Sequence, residues 1–199
     1  MSEETVSPNL PPQTPFTPID QELYENRYIF VNGMVSSEMA LKVNKELFAM
    51  ERKNPDLPIY IWINSPGGEV TSGFSIYDTI QFIKPKVFTI VSGLAASMGS
   101  VIALAAEKEN RLAMPNGRIL IHQPLISGVM RGSASDLEIH AKDIIEMKKR
   151  FHRLYAERTG TSIEKYQELM ERDRWIDADE AVELGLISKV LKSKDDLKA

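Results

Sequence analysis

Cysteine is missing from the 199 residues, and with it go disulfides, thiolate catalysis and cysteine-ligated zinc. Histidine is scarce. A histidine general base has three candidates, His122, His140 and His152, and no two of them stand four residues apart to make a metal-binding pair on a helix. A surplus of positive charge is missing too: 24 lysines and arginines face 28 aspartates and glutamates, for a net charge of −4. Without a basic field, nucleic acid is not an expected partner. The apolar runs are too short and interrupted to span a bilayer, and no early segment joins a basic start to an apolar stretch as a signal peptide does. The expectation is a cytoplasmic chain with no membrane partner, no metal and no cofactor.

What is present suits one α/β domain. With 43% of residues hydrophobic, a chain of this length buries a substantial core, and two domains would be cramped. Residues 1–18 hold five of the eleven prolines and read as a proline-rich mobile N-terminal arm. Residues 19–191 form the domain, and the charged stretch 192–199 reads as a fraying tail. Arg27 to Val31 predicts a strand closed by Asn32-Gly33, and Ser37 to Arg52 an amphipathic helix carrying Met39, Ala40, Val43, Leu47 and Met50. Ile59 to Asn64 is apolar at nearly every position, the mark of a strand covered on both faces. It runs into Ser65-Pro66-Gly67-Gly68 and then a helix with Val70, Phe74, Tyr77, Ile80 and Ile83. A strand from Lys86 to Val91 and a second glycine-containing turn repeat the unit about 28 residues later, a crossover geometry. Short strands at 111–113 and 118–122 follow, then a projecting strand or loop at 126–135. A long helix from Asp136 to Glu157 carries one apolar stripe, Leu137, Ala141, Ile144, Met147, Phe151, Leu154 and Tyr155. A shorter helix over 162–170, a polar turn over 171–175, a small helix over 177–185 and a strand over 186–191 complete the chain.

Both strand-turn-helix units should open on one sheet edge, where open α/β folds place ligands. The second turn, Ser92 to Ser100, is a tight turn of small residues that puts Ser97 in the first turn of a helix. A serine there either caps the helix or has its hydroxyl beside free N–H groups that would stabilise an oxyanion. Gly67, Gly68 and Met98 are candidates to offer backbone N–H groups to the same point. His122 ends a strand of the same series, so it can meet Ser97, although a lone strand-end histidine is also a common structural residue. His140 and His152 lie among charged neighbours on the long helix, and a solvated face accounts for both. Asp173 sits among arginines, where a surface ion-pair cluster is the ordinary explanation. A catalytic role requires it to accept a hydrogen bond from His122 and fix the tautomer that takes a serine proton.

Seven segments, in order along the chain, resemble the proteolytic subunits of the ATP-dependent Clp protease, the ClpP family of serine peptidases. They are Ile63-Asn-Ser-Pro-Gly-Gly68, Ser75-Ile-Tyr-Asp78, Gly93-Leu-Ala-Ala-Ser-Met-Gly99, Pro115-Asn-Gly-Arg118, Ile121-His-Gln-Pro124, Asp136-Leu-Glu-Ile-His-Ala141 and Glu171-Arg-Asp-Arg-Trp175. The resemblance implies a crotonase-like α/β spiral of βαβ units with a projecting handle helix. It implies a serine endopeptidase with Ser97 as nucleophile, His122 as base, Asp173 as its orienting carboxylate, and the N–H groups of Gly68 and Met98 as oxyanion donors. It further implies two stacked heptameric rings enclosing a chamber, unfolded proteins or peptides as substrates, and a Clp-type AAA+ unfoldase docking near Tyr60, Trp62, Phe82 and Ile90. Two departures stand out. Proline-rich sequence replaces a usually charged, glycine-containing segment before the first helix, and Ser92 stands where a larger apolar residue is common. Both suit a second ClpP-type isoform, working in mixed rings with another ClpP-type subunit or weakly active without one. A crotonase-type acyl-CoA enzyme with Glu69 as its acid/base is the remaining alternative.

Overall fold

β-Branched and aromatic residues build the centre of the molecule, whose computed structural model describes residues 17–125 and 132–197. Strand β2 (Ile59–Ser65) lies parallel between β1 (Tyr28–Asn32) and β3 (Val87–Ala96), with Ile61 level with Ile29 and Thr89. Its side chains alternate. Ile59, Ile61 and Ile63 are fully buried in the main core, whereas Tyr60 and Trp62 are half-buried against a small second cluster with Phe88, Ile90, Leu112 and Leu191. The expectation of a strand covered on both faces is therefore met fully on one face only, because the other is covered by aromatic rings and Leu197 and leaves Tyr60 and Trp62 half-buried.

Helices α2 (Ser37–Lys53) and α3 (Val70–Phe82) connect these strands and pack on the main core. Ser36 caps α2 through its hydroxyl, and Ala40, Val43, Leu47 and Met50 form its buried stripe, as their spacing requires. An unanticipated helix, α1 (Pro18–Glu25), precedes them. Thr17 and Asp20 form its capping box and Pro18 takes its first position, so the last residue of the assigned arm is helical. Residues 1–16, the rest of that arm, lie outside the described residues.

Strand β3 runs further than the sequence pattern indicates. Ser92 to Ala96 is extended chain, not a tight turn, and it gives β3 two partners in succession: Thr89–Val91 pair with β4 (Arg111–Ala113), and Leu94–Ala96 with β5 (Arg118–Ile121). A bulge opposite β2 lets the strand change partner. Register shifts between Ile63 and Ser65, and the Asn64 side chain fills the gap, its Oδ1 accepting from the Leu94 N–H at 3.2 Å. Ser92 serves the same bulge, donating its hydroxyl to the Ile63 carbonyl at 3.2 Å. A larger apolar side chain there could not make that bond.

The polar segment 171–175 runs into a strand at its end. Arg174–Asp177 forms β6, antiparallel to β5, while β7 (Lys189–Val190) runs beside β4. Ile176 of β6 is fully buried, and the Arg118 guanidinium lies 4.6 Å from the centre of the Trp175 ring, which secures the β5–β6 pair on its outer face. The last strand is shorter than expected because the N–H groups of Leu186 and Ile187 turn back to the Ala181 carbonyl. Helices α4 (Met98–Ala103), α5 (Ala134–Thr159), α6 (Ile163–Leu169) and α7 (Ala178–Glu183) complete the fold. Only the carboxyl half of α5 reaches the core: Phe151 and Tyr155 are buried, but Leu137 and Ile139 are exposed. The strand or loop expected at 126–135 falls largely on residues 126–131, outside the described residues. Among the described residues no helix is long and apolar enough to cross a membrane.

Candidate active site

Ser97 occupies the joint between β3 and α4, with no loop between them. Its φ of 52° and ψ of −120° are unusual for a residue with a Cβ, and such a conformation stores about 1–3 kcal/mol of strain. Its N–H donates to the Leu120 carbonyl at 2.9 Å, which fastens the joint to β5. The hydroxyl makes no capping bond, and the residue is half-buried. Of the two roles a serine could have here, capping is thus not the one adopted. A strained strand-to-helix elbow whose hydroxyl has no partner among the described residues is the arrangement that suits a nucleophile.

The other glycine turn presses against this elbow. A Cβ on Gly67 would lie 2.6 Å from the Ser97 Cβ and 3.0 Å from the Met98 nitrogen, and φ is +91°. Only glycine lets the two turns approach so closely. Gly68, with φ of +154°, is held against Val35 through bonds made by its neighbours: Val35 N–H donates to Gly67, and Glu69 N–H to Val35, both at 2.9 Å. Among the described residues, the N–H groups of Gly68 and Met98 donate no hydrogen bond. Two unpaired donors therefore flank the elbow. Glu69 heads α3 and accepts the Ser72 hydroxyl at 2.7 Å, which engages the one carboxylate beside Gly68.

Sheet register brings His122 and Asp173 to the same edge. β5 and β6 pair Ile121 with Arg174 as the last rung, and His122 and Asp173 are the residues that adjoin that rung. Ala96 is level with Leu120, whose carbonyl accepts the Ser97 N–H, so Ser97 is fastened to β5 two residues before His122. The imidazole, however, bonds elsewhere. His122 Nδ1 is 2.5 Å from the Gln123 carbonyl, while Asp173 is exposed and makes no hydrogen bond or ion pair among the described residues. A carbonyl only accepts, so Nδ1 carries the proton and Nε2 is left with the lone pair that a base needs. In this single chain the neighbouring carbonyl sets the tautomer, not the aspartate.

Residues that spacing did not single out tie the Asp173 segment down. Gln123 Nε2 donates to the Glu171 carbonyl at 2.9 Å, and Lys148 of α5 pairs with the Glu171 carboxylate at 2.7 Å, holding that carboxyl below its usual range. Gln123 had a legible signal in its place beside His122. Lys148 and Glu171 did not, because nothing in a sequence relates charges 23 residues apart.

His152 departs from the expectation of a solvated helix face. His140 is exposed, but His152 is 3% exposed, and its Nε2 has no partner among the described residues. It lines a cleft of about 270 Å³ with Ile145, Lys148, Lys149, Gln167 and Glu171. Burial first, then Lys148, push its imidazole below the ordinary value of 6.5. The unfolded chain then takes up this proton before the folded one does, so the contribution of neutral His152 is complete above 6.5 and lost as pH falls below it. The thermal midpoint is expected to drop between about pH 7 and about pH 5, and less steeply in His152→Gln, by calorimetry at both pH values. Equal slopes in the two proteins would exclude His152 as the cause.

The four residues expected at a docking cleft divide. Tyr60 stacks on Phe88 at 5.2 Å and packs in one cluster with Trp62 and Ile90, Ile90 being fully covered. Phe82 is 79% exposed at the end of α3, with Phe48 6.5 Å away. Within one chain it does not join the other three. The model of the family described as Clp protease matches residues 13–194.

Proposed function

Because the chain belongs to the Clp protease family, a family of peptidases, we propose that it is a serine endopeptidase whose nucleophile is Ser97. Its α/β sheet is the crotonase-like fold of that family. The Ser97 hydroxyl attacks the scissile carbonyl carbon while His122 Nε2 takes its proton. The N–H groups of Gly68 and Met98 receive the oxyanion, and His122 returns the proton to the leaving amine. Water, deprotonated by the same imidazole, then cleaves the acyl-enzyme and restores the serine. Asp173 orients His122 once the two are in contact. The observation that carries this mechanism is the strained Ser97 elbow, its hydroxyl uncommitted and flanked by two unpaired N–H groups.

The family implies oligomers and Clp ATPase partners in general. The proposal is that two stacked heptameric rings enclose the site, that unfolded proteins and short peptides are the substrates, and that a Clp-type AAA+ unfoldase supplies the ATP dependence for folded substrates. It would dock where Tyr60 and Trp62 of one subunit, underlain by the buried Ile90, adjoin Phe82 of the next, since Phe82 is separate from them within one chain. The bond from His122 to Gln123 favours one refinement: the lone chain is not poised, and subunit contacts, in a homo-oligomer or with another ClpP-type subunit, complete the His122–Asp173 pair.

Treating the purified oligomer with a biotinylated fluorophosphonate and sequencing the tagged peptide by mass spectrometry is expected to place the adduct on Ser97. An adduct on another residue, or none in a preparation that cleaves unstructured peptides, would remove Ser97 as the nucleophile.

A further inference from the structure

Ser100 and Tyr155 have no part in the mechanism above, yet they touch it. Both are 1% exposed. Ser100 Oγ lies 2.6 Å from the Ser97 carbonyl oxygen and 2.5 Å from the Tyr155 hydroxyl, across from α4 to α5. The carbonyl can only accept, so the single Ser100 proton is committed to it, and Tyr155 must donate to Ser100. The direction of the relay follows: Tyr155 O–H to Ser100 Oγ, Ser100 O–H to Ser97 C=O. Burial pushes the Tyr155 phenol well above its usual range, which keeps the donated proton in place.

The Ser97 carbonyl and the Met98 N–H belong to one peptide unit. Because that unit is planar and trans, its carbonyl and N–H point in opposite directions. Whatever holds the carbonyl therefore aims the N–H. The backbone N–H groups of Ser100 and Val101 also reach this oxygen, at 3.0 and 3.3 Å, but the Ser100 hydroxyl is the closest donor. A strained ψ at Ser97 has no steric well of its own to keep the plane from rotating. We propose that Ser100 and Tyr155 are positioning residues that lock the 97–98 peptide plane and so aim the Met98 N–H at the developing oxyanion.

This rests on Ser97 as nucleophile, and the tests separate the two. Losing an oxyanion donor outright costs about 10²–10³ in kcat, so a mis-aimed one is expected to cost about 10- to 100-fold in Ser100→Ala and about 3- to 10-fold in Tyr155→Phe. KM for an unstructured peptide should stay within about twofold, since the peptide plane acts on the transition state. Ser100→Thr keeps the hydroxyl and should recover most of kcat. Tyr166→Phe serves as the structural control: its ring packs 5.3 Å from Tyr155 in the same buried site, outside the relay. It is expected to retain kcat. Wild-type protein tagged by fluorophosphonate at Ser97, with kcat unchanged in both Ser100→Ala and Tyr155→Phe, would overturn the positioning role alone. Equal losses in Tyr166→Phe would overturn it as well, by tracing the effect to packing. Failure of the wild type to be tagged at Ser97 would overturn the nucleophile and the positioning role together.

Discussion

Ser97→Ala is expected to lower peptide hydrolysis by about 10⁴-fold or more, and Ser97→Gly by as much, while the two move stability differently. Loss of the hydroxyl removes the attacking atom, and the remaining donors and base recover little because such groups act as a unit. Alanine keeps the Cβ and with it the strain of a φ of 52°. Glycine removes the reason for the strain. Relief of about 1–3 kcal/mol is partly offset by about 1 kcal/mol of extra chain entropy in the unfolded state. The net gain is at most about 2 kcal/mol, a rise of at most about 4–8 °C at this chain length. Peptide turnover and calorimetry on the same two proteins check this. Hydrolysis that survives in either variant excludes the nucleophile, and a Ser97→Gly protein that melts below Ser97→Ala excludes stored strain at the elbow.

Gly67→Ala should be the most damaging change that leaves every reacting group in place. The added methyl would meet the Ser97 Cβ at 2.6 Å and the Ala96 carbonyl oxygen at 2.7 Å. Neither is the end of a flexible side chain, so the two turns have to separate. Left-handed strain at φ of +91° is added to the overlap. Together they are expected to cost about 3 kcal/mol or more of stability and at least about 100-fold in kcat, as Gly68 and Ser97 lose their mutual placement. Gly33→Ala isolates the strain. Its φ is +87°, but nothing lies within 4 Å of the new methyl, so it should lose about 1 kcal/mol and no activity. Equal effects from the two alanines, by denaturant titration and peptide assay, would show that the approach of the turns is unimportant.

Local signals made most elements legible, and non-local ones explain what was not. Helix α2 and strand β2 follow from period and apolar content, because each buries a stripe that the sequence spells out. Strand β3 was cut short because Ser92, Gly93 and two alanines look like a turn. They are extended only because Asn64 and Ser92 seal a bulge against β2. β6 was hidden in a charged run whose one buried residue, Ile176, gives too little alternation to read. The burial of His152 is hidden for the opposite reason. Charged neighbours suggested solvent, but α6 and the turn after it pack over that face of α5. At the candidate site, the residues alone left Ser97 as cap or nucleophile and the glycines as turn or donors, and the proposed roles of Ser97, His122 and Asp173 come from the family resemblance. The places of His122 and Asp173 at one sheet edge depend on the pairing of β5 with β6, which no spacing encodes.

Helix α5 is a cantilever. Its 26 residues make a rod about 39 Å long, and its buried residues, Phe151, His152, Tyr155 and Thr159, all lie in the carboxyl-terminal part. From Phe151 about 25 Å of helix extends towards Ala134. The seated end carries the Tyr155 hydroxyl, and the next atoms in line are Ser100 and the carbonyl of Ser97, so the outer stretch and the Ser97 elbow share one support.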